Sequence, residues 1–392
     1  MRQIMMYADQ TYLKTLGIKP ENLISFAGGW VNHSAPLELQ KAYKEIVSDD
    51  KSMHASGGYS PTLGMPGCKE AIVKFEKHLY AVQNLEPCHI AVGASSTQLL
   101  SDLVRALLDP DDKILLLDPS YCNYQSQIVT AAGAQIIHFP VVDVDTWEYN
   151  PDKRIAALVD CIEKEKPKAV LLVSPDNPTS QVLSHEFVKA AYEAVRNIGS
   201  FLIMDFAYKD IVFEEKIPEY FSWGPTDNFL SIHSNSKWSR SLGRRLGWIE
   251  ADEDVIQALD SIQSSTILCP DTLHQMALER YINEAIEKDT LRPYIKKVSD
   301  DYKQAASATV EAIKKHTNAK FFVPQGGLFT CIDVGVDGAT FVEKALKEAS
   351  VLLVPGWGFG KTLKNAVRLS FGPLVYDLPK IDEGIKRISR LL

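Results

Sequence analysis

The chain lacks the sequence features of several protein classes. None of its six cysteines belongs to a Cys-x-x-Cys pair, so a zinc site or a redox dithiol is not expected, and we predict no metal. No apolar run approaches the length of a membrane span. Residues 1–14 lack the apolar core of a secretory signal. Together with the isolated cysteines, this predicts reduced thiols in a cytoplasmic protein.

Excess positive charge is also absent. The chain has 42 lysines and arginines against 50 acidic residues, which gives a formal net charge of −8. Apolar residues make up 45% of the chain and charged residues 23%, as in ordinary globular proteins, and 392 residues are enough for two or three domain cores. Because the balance is acidic, we expect neither a nucleic-acid partner nor a membrane partner.

Short apolar runs that alternate with helical patterns occupy the middle of the chain. The runs that we predict as strands cover residues 89–94, 114–119, 134–141, 169–175, 201–205 and 229–234. Near-continuous apolar strands separated by helices form a mostly parallel sheet that is covered on both faces. The sequence therefore predicts an α/β fold whose large domain has three α/β/α layers.

The last part of the chain shows a different pattern. Residues 289–316 predict one long helix, and further strands are predicted near KFFVP, LFTCIDV and AVRLSF. We assign residues 46–288 to a large domain. Residues 1–45 and 289–392 are assigned to an N-terminal arm and a smaller α+β domain.

The lysine that follows the last of the six apolar runs is the first candidate for chemistry. Lys237 comes shortly after the strand FLSIHS, where burial can lower the pKa of its amine and make the amine a nucleophile. Ser234 and Arg245 on either side suit a phosphate group. A reactive lysine beside a phosphate site is typical of pyridoxal phosphate chemistry. Considered alone, the same stretch is also compatible with a surface loop that has scattered basic residues.

Functional groups follow the other predicted strands as well. In open α/β sheets, ligands bind outside the carboxyl ends of the strands. The groups found there are Ser95-Ser96-Thr97 at a helix start, Tyr121, Asn177, Asp205 with Tyr208, and Lys237. A helix start binds anions through its free N–H groups. An anion site, an aromatic ring, an amide, a carboxylate and an amine at neighbouring strand ends predict one shared crevice.

With these residues in place, the chain resembles the class I and II aminotransferases, which are fold type I pyridoxal-phosphate-dependent enzymes. The resemblance covers nearly the whole chain, and its motifs occur in the order of the family. They are Tyr-x-x-x-x-Gly at Tyr59–Gly64, the small-residue turn at Ser95–Thr97, Asn177-Pro178, Asp-x-Ala-Tyr at Asp205–Tyr208, Ser-x-Ser-Lys at Ser234–Lys237, Gly-x-Arg-x-Gly at Gly243–Gly247, Pro-x-Gly-Gly at Pro324–Gly327, and Val-Arg-Leu-Ser at Val367–Ser370.

The resemblance implies an aspartate-aminotransferase-like fold and a reaction. An amino group would move from an L-amino acid to a 2-oxo acid in two half-reactions, through pyridoxamine phosphate. Lys237 would hold pyridoxal 5'-phosphate as an imine and later move the substrate proton. Asp205 would pair with the pyridine nitrogen, Tyr208 and Asn177 would bind the phenolic oxygen, and Tyr121 would stack on the ring.

The resemblance also implies where the charged ends of cofactor and substrate are bound. The phosphate ligands would be Ser96, Thr97, Ser234 and Arg245. Arg368 would bind the substrate carboxylate in a two-pronged ion pair, next to the backbone of Gly29, with Asn177 also at the substrate. Tyr59 would reach the phosphate in the neighbouring subunit, which implies a homodimer with shared sites.

Each of these residue types also has a purely structural explanation. Serines and aspartates cap helices, an Asn-Pro pair forms turns, and tyrosines often belong to a core. Arg368 could make a surface ion pair, and Tyr59 could pack on its own domain. We prefer the functional interpretation because all the motifs occur together.

The sequence departs from the family pattern at three places. Ser180 stands where the family usually has a glycine after Asn-Pro, which we expect to alter only the turn. Arg240 follows Lys237 by three residues, where a small residue is usual, and we expect it to face solvent rather than substrate. The N-terminal loop has Gly29-Trp30-Val31-Asn32 in place of a Gly-x-Pro-x-Phe pattern, so the roles of Trp30 and Asn32 stay open.

Other functions remain open at this point. Carbon–sulfur β-lyases, decarboxylases and cyclases on the same fold use the same lysine, and a fold does not determine the reaction. A cofactor-sensing regulator is disfavoured because the motifs begin by Gly28, which leaves little room for a preceding DNA-binding module. Arg240 and Arg244 keep a dicarboxylate substrate possible.

Overall fold

The six predicted apolar runs and one strand that was not predicted, β10, form a seven-stranded sheet in the computed structural model, which describes residues 10–392. Its strands in chain order are β2 (Ile90–Gly93), β3 (Lys113–Asp118), β4 (Gln135–Pro140), β7 (Ala169–Val173), β8 (Phe201–Asp205), β9 (Phe229–Ser234) and β10 (Gly247–Glu250). Their spatial order is β2-β10-β9-β8-β7-β3-β4, and β10 alone runs antiparallel to its neighbours. The predicted mostly parallel sheet is therefore confirmed.

Both faces of the central strands are buried, which explains why a strand such as β7 is apolar at every position. Along β7, Val170 and Leu172 belong to one hydrophobic core, whereas Ala169, Leu171 and Val173 belong to another on the opposite face. Because side chains alternate across a strand, a run of five apolar residues supplies both cores at once.

Helices cover the sheet on both sides and continue into the C-terminal part of the chain. They are α1 (Gln10–Thr15), α2 (Leu37–Ser48), α3 (Asp50–Ser56), α4 (Pro66–Tyr80), α5 (Ser96–Leu107), α6 (Tyr124–Ala132), α7 (Ile155–Glu165), α8 (His185–Asn197), α9 (Glu253–Thr266), α10 (Thr272–Glu287), α11 (Leu291–His316), α12 (Gly338–Ala349) and α13 (Leu378–Ile388). Several start at side-chain caps, such as Ser184 before α8 and Asp337 before α12. The predicted long helix is α11, which begins two residues later than expected.

A second, smaller sheet lies in the C-terminal part. It consists of β11 (Phe329–Asp333), β13 (Val354–Pro355) and β14 (Ala366–Ser370), all antiparallel. The N-terminal strand β1 (Ile24–Ser25) pairs in parallel with β12 (Val351–Leu352). An N-terminal segment therefore packs on the C-terminal part of the chain here. A separate hairpin pairs β5 (Val142–Asp143) with β6 (Glu148–Tyr149).

One strand prediction is wrong. The run KFFVP forms only an isolated bridge between Phe321 and Ile332. Pro324 is the last residue of this run and has no N–H for a ladder, and the turn at Gly326-Gly327 then redirects the chain into β11.

We propose a division into two domains from the hydrophobic cores, with a boundary that differs from the sequence assignment. Position 46 falls inside α2, whose buried residues Leu39, Ala42 and Ile46 all join a core of the large sheet. We therefore place the boundary ahead of Leu37, so that α2 belongs to the large domain. Within residues 10–392, no helix combines the length and apolar character needed to cross a membrane.

Candidate active site

A cavity of about 820 Å³ opens at the carboxyl edge of the large sheet, between that sheet and the smaller one. Residues that follow β2, β3, β7, β8 and β9 line it from one side, and β13 and β14 contribute from the other. Every predicted site residue except Tyr59 lines this one cavity. The placement follows from topology, because parallel strands bring their carboxyl ends to the same edge.

The amine of Lys237 is partly buried in this cavity. Its Nζ donates a hydrogen bond of 2.6 Å to the Gly29 carbonyl and lies 5.5 Å from the centre of the Tyr208 ring. Burial lowers the pKa of Lys237 to about 8, and the positive charges of Arg368 and Arg245 add to this effect. The neutral amine, which a nucleophilic lysine requires, is therefore a larger share at neutral pH than in an ordinary lysine.

Asp205 ends β8 with a buried carboxylate whose two oxygens are both fixed. Oδ2 accepts a hydrogen bond of 2.7 Å from the Tyr124 hydroxyl, and Oδ1 accepts one of 2.9 Å from the Ala207 backbone N–H. Burial raises the pKa of Asp205, while these two hydrogen bonds lower it. A buried carboxylate that lines a cavity can bind a protonated ring nitrogen of a ligand.

Arg368 projects from β14 and is nearly inaccessible, with 6% of its surface exposed. One terminal nitrogen donates to Asn177 Oδ1 at 2.9 Å and the other to the Ala27 carbonyl at 2.8 Å. Its Nε has no partner among the described residues, although it is buried. Because buried donors are nearly always hydrogen-bonded, the guanidinium has capacity for an additional acceptor such as a carboxylate.

The other end of the cavity suits an anion. Ser96 and Thr97 are the first residues of α5, so their backbone N–H groups have no partner within the helix. A Cβ atom on Gly247 would lie 2.7 Å from the Ser96 nitrogen, so glycine allows the helix start to approach the sheet. Ser234 and Arg245 also line the cavity. The Arg245 guanidinium donates a hydrogen bond of 2.7 Å to the Leu242 carbonyl.

Three tyrosines form the aromatic part of the wall. Tyr121 packs edge-on against Tyr124, with ring centres 5.3 Å apart, and its hydroxyl accepts a 2.8 Å hydrogen bond from Asn123 Nδ2. Tyr208 packs edge-on against Phe329 at 5.7 Å. These contacts orient flat side chains around a space that a planar ring could occupy.

Comparison with known proteins gives a family for this arrangement. The family model for class I and II aminotransferases matches residues 23–388. The chain belongs to this family. Since the match covers nearly all described residues, the predicted resemblance and the predicted aspartate-aminotransferase-like fold are both confirmed.

Individual aminotransferases are similar to this chain over most of their length. An aspartate aminotransferase from Thermotoga maritima is 28% identical over 335 residues, which cover 85% of this chain and 83% of that protein. An aspartate/prephenate aminotransferase from Thermus thermophilus is 25% identical over 378 residues, with 95% and 91% covered. A double mutant of a Thermus thermophilus aspartate aminotransferase has the same fold, with a TM-score of 0.86 at 21% identity over 99% of this chain and 96% of that one.

The protein is thus a pyridoxal-phosphate-dependent aminotransferase, as the sequence predicted. The cavity fits this cofactor. It contains an amine with a lowered pKa, a buried carboxylate, tyrosine rings, and a helix start with hydroxyls and an arginine. These groups match the aldehyde, the ring nitrogen, the planar ring and the phosphate, in that order.

Several residues singled out in the sequence lie outside the cavity of this aminotransferase. Tyr59 is 86% exposed. Arg240 is exposed, as expected, but it does not point freely into solvent, because its guanidinium donates to the Val31 carbonyl at 2.8 Å and to Asn32 Oδ1 at 3.0 Å. Asn32 is thereby part of the loop's own structure. Trp30 folds over Gly28, where a Cβ atom would overlap its ring.

The serine that replaces the family glycine has a role in domain contact. Ser180 has a φ of +58°, which explains why glycine is common at this turn position. Its hydroxyl accepts a 2.9 Å hydrogen bond from the Phe329 backbone N–H, on the first strand of the small sheet. The substitution therefore changes more than the turn, since it adds a bond between the two parts of the chain.

Several residues that line the aminotransferase cavity were not predicted from the sequence, and three of them are aromatic side chains next to Asp205 or Arg368. Tyr124 holds Asp205, and Trp357 and Phe359 line the wall next to Arg368. Tyr124 follows β3 in the same loop as Tyr121, so position after a strand could have indicated it. Trp357 and Phe359 stand in the glycine-rich turn Pro355–Gly360, where Trp357 is exposed and Phe359 is buried in a small core cluster.

Proposed function

We propose that Lys237 is the cofactor-binding lysine of an enzyme that transfers an amino group from an L-amino acid to a 2-oxo acid. The observation that supports this most strongly is the meeting of Lys237, Asp205 and Arg368 in one cavity, with the pKa of Lys237 lowered to about 8. A reactive amine, an acceptor for a ring nitrogen and a carboxylate-binding cation are the three groups that this reaction needs.

Lys237 has two tasks in this proposal. Its neutral amine forms the covalent bond to the cofactor, and burial makes that neutral form available. When the donor amino acid displaces it, the freed amine accepts the proton from the donor's α-carbon and later returns it. The amine donates a hydrogen bond of 2.6 Å to the Gly29 carbonyl, and this bond fixes the position of the amine in the cavity.

Asp205 stabilises positive charge in the ring of the cofactor. When bound, pyridoxal phosphate withdraws electrons from the α-carbon of the donor. Asp205 keeps the ring nitrogen protonated, and Tyr124 and Ala207 keep the carboxylate oriented. Tyr121 would pack against the ring, and Tyr208 and Asn177, which line the same cavity, would donate to its phenolic oxygen. The carboxylate is useful here because it is fixed in place before the reaction begins.

Arg368 binds the α-carboxylate of the donor. Asn177 and the Ala27 carbonyl hold its two terminal nitrogens, so the guanidinium needs little reorganisation when substrate arrives. Gly29 lies beside it without a side chain. Ser96, Thr97, Ser234 and Arg245 bind the phosphate group at the far end.

The working unit in this proposal is a homodimer. Tyr59 is a large aromatic residue with 86% of its surface exposed, in a loop between α3 and α4. An exposed tyrosine with a hydroxyl donor suits contact with the phosphate in a second copy of the chain, and two-fold symmetry would repeat the contact. A cytoplasmic location is part of the proposal too, because the six cysteines are all unpaired thiols.

The experiment that tests the assignment of Lys237 is reductive trapping. Borohydride treatment of the holoenzyme should attach the cofactor irreversibly to one peptide, the one that contains Lys237. Lys237→Ala should bind cofactor without any covalent attachment. Lys209, a buried lysine outside the cavity that pairs with Glu76 at 2.8 Å, provides an internal comparison. Attachment to any lysine other than Lys237 would refute the assignment.

A further inference from the structure

We propose that the donor amino acid has an uncharged, apolar side chain, and that Trp357, Phe359 and Val354 select it. This inference rests on the proposed function, since it concerns the substrate of the same cavity. Four charged residues of the described chain line the cavity. They are Asp205, Lys237, Arg245 and Arg368.

Each of these charges already has a task. Asp205 accepts from Tyr124 and Ala207 and faces the ring nitrogen, and Lys237 binds the cofactor. Arg245 belongs to the phosphate ligands, and Arg368 takes the α-carboxylate. No cation of the described cavity wall remains for a second carboxylate on the donor's side chain. An acidic donor would then have to bury an unpaired charge, which is costly.

The two additional arginines considered from the sequence do not fill this gap within their own chain. Arg240 is held by the Val31 carbonyl and by Asn32 Oδ1. Arg244 lies over the ring of Tyr43, with 4.8 Å between its Cζ and the ring centre. Neither residue lines the cavity.

The wall next to Arg368 is apolar. Val354 on β13 is the direct partner of Arg368 across the sheet. The Phe359 ring centre lies 4.9 Å from the Arg368 guanidinium carbon. Trp357, which lies between Val354 and Phe359 in the sequence, also lines the cavity. The side chain and the carboxylate of an amino acid are attached to the same α-carbon, so we place the side chain of a donor held by Arg368 against this wall.

Two polar side chains that line the cavity already make hydrogen bonds within the protein. Asn123 donates to the Tyr121 hydroxyl at 2.8 Å, and the Ser126 hydroxyl donates to the Asn123 carbonyl at 3.0 Å. They give little recognition of a polar side chain, whereas the aromatic wall gains from covering apolar surface. An apolar or aromatic donor therefore fits better than an acidic one.

The test compares donors on the holoenzyme in a single half-reaction. L-Phenylalanine, L-leucine, L-aspartate and L-glutamate are each mixed with the holoenzyme without acceptor, and the released 2-oxo acid is measured over time. We expect kcat/KM for the better apolar donor to exceed that of both acidic donors by about a hundredfold. Equal or better reaction of aspartate or glutamate would overturn the specificity inference and leave the aminotransferase function intact. If no donor releases a 2-oxo acid, both fail.

A binding measurement separates recognition from turnover. Calorimetric titration of the holoenzyme with 3-phenylpropanoate and with succinate should show the monocarboxylate binding at least about tenfold more tightly. Tighter binding of succinate would indicate a second cation from outside the described cavity wall and would overturn the inference.

A matched pair of tryptophan variants tests the wall itself. Trp357→Ala should lower kcat/KM for phenylalanine about tenfold relative to that for alanine, because only the larger donor reaches the missing ring. Trp30→Ala is the control, since Trp30 is similarly exposed, at 49% against 53%, but does not line the cavity. It should change both donors by the same factor. Equal effects of Trp357→Ala on both donors would refute the assigned role of Trp357.

Discussion

The Tyr124 hydroxyl donates a hydrogen bond of 2.7 Å to Asp205 Oδ2, and both side chains are buried. The Ala207 backbone N–H holds the other carboxylate oxygen. The carboxylate at the centre of the cavity is therefore oriented by the protein itself, through a tyrosine that has no direct task in the chemistry. The variants Asp205→Asn and Tyr124→Phe separate the contribution of the Asp205 charge from that of its orientation.

Asp205→Asn removes the charge while it keeps the shape. The phosphate contacts remain, so we expect the variant to bind cofactor. The half-reaction with a donor amino acid should slow by at least about 10²-fold, because an amide does not keep the ring nitrogen protonated. Cofactor titration and single-turnover kinetics measure the two effects separately. An unchanged single-turnover rate would argue decisively against the pairing.

Tyr124→Phe removes only the hydrogen bond. That bond lowers the pKa of Asp205 against the effect of burial, so its loss should raise the pKa and move the acid limb of the kcat profile to higher pH. A bond to a charged group is worth roughly 1.5–3 kcal/mol, which corresponds to a rate loss of about 10- to 150-fold. Tyr80→Phe is the matched control, because Tyr80 donates to Asp210 at 2.6 Å outside the cavity. If both variants shift the profile equally, Tyr124 has no specific role.

The pH dependence of cofactor attachment tests the lowered pKa of Lys237. Only the neutral amine attacks, so the rate at which cofactor-free protein binds pyridoxal phosphate covalently should rise with pH and level off above about 8. With an ordinary lysine, whose pKa is 10.5, the rate of attachment would still rise about tenfold per pH unit above pH 8. Arg368→Gln should move the midpoint upward, because the Arg368 charge adds to burial in lowering this pKa. A rate that still climbs at pH 10 in the unmodified protein would contradict the account.

Arg368→Ala should affect amino acids far more than amines without a carboxylate. Truncation of one partner of a buried, hydrogen-bonded charge pair costs about 2–5 kcal/mol, and only substrates with an α-carboxylate form this pair. Arg368→Lys retains the charge and should recover part of the loss. The ratio of kcat/KM for an amino acid to that for its decarboxylated amine is the measurement. Equal losses for both substrates would mean that Arg368 only supports the fold.

Subunit mixing tests the contribution of Tyr59 across a dimer. Lys237→Ala and Tyr59→Ala chains are purified separately, unfolded, and refolded together. If Tyr59 acts in the neighbouring subunit, each hybrid dimer has one site with both defects and one with neither. Activity should then exceed that of both parents. Hybrids verified by mass that show no gain would place Tyr59 in its own subunit or in no site.

Much of the large domain was predictable because both faces of its sheet are covered. Runs such as Ala169–Val173 are apolar throughout, which marks them in sequence without any knowledge of their neighbours. The reversed direction of β10 was not predictable, because composition does not specify strand direction. KFFVP failed because its apolar pattern resembles a strand although Pro324 ends it.

The site was predictable where polar residues directly follow apolar strands, as at Asp205 and Lys237. Tyr124 was missed because a tyrosine at a helix start resembles a core residue, and its partner Asp205 is 81 positions away in sequence. Trp357 and Phe359 were missed for a similar reason. Their position near Arg368 depends on the pairing of β13 with β14, which no local pattern specifies.

The central claim is that the enzyme transfers amino groups rather than eliminating or decarboxylating its donor. The most direct measurement mixes holoenzyme with an excess of one donor amino acid and no acceptor, and counts all products per active site. We predict one equivalent of 2-oxo acid, no ammonia and no carbon dioxide, and a second equivalent only after a different 2-oxo acid is added. Continuous release of ammonia, sulfide or carbon dioxide from the donor alone would contradict the account.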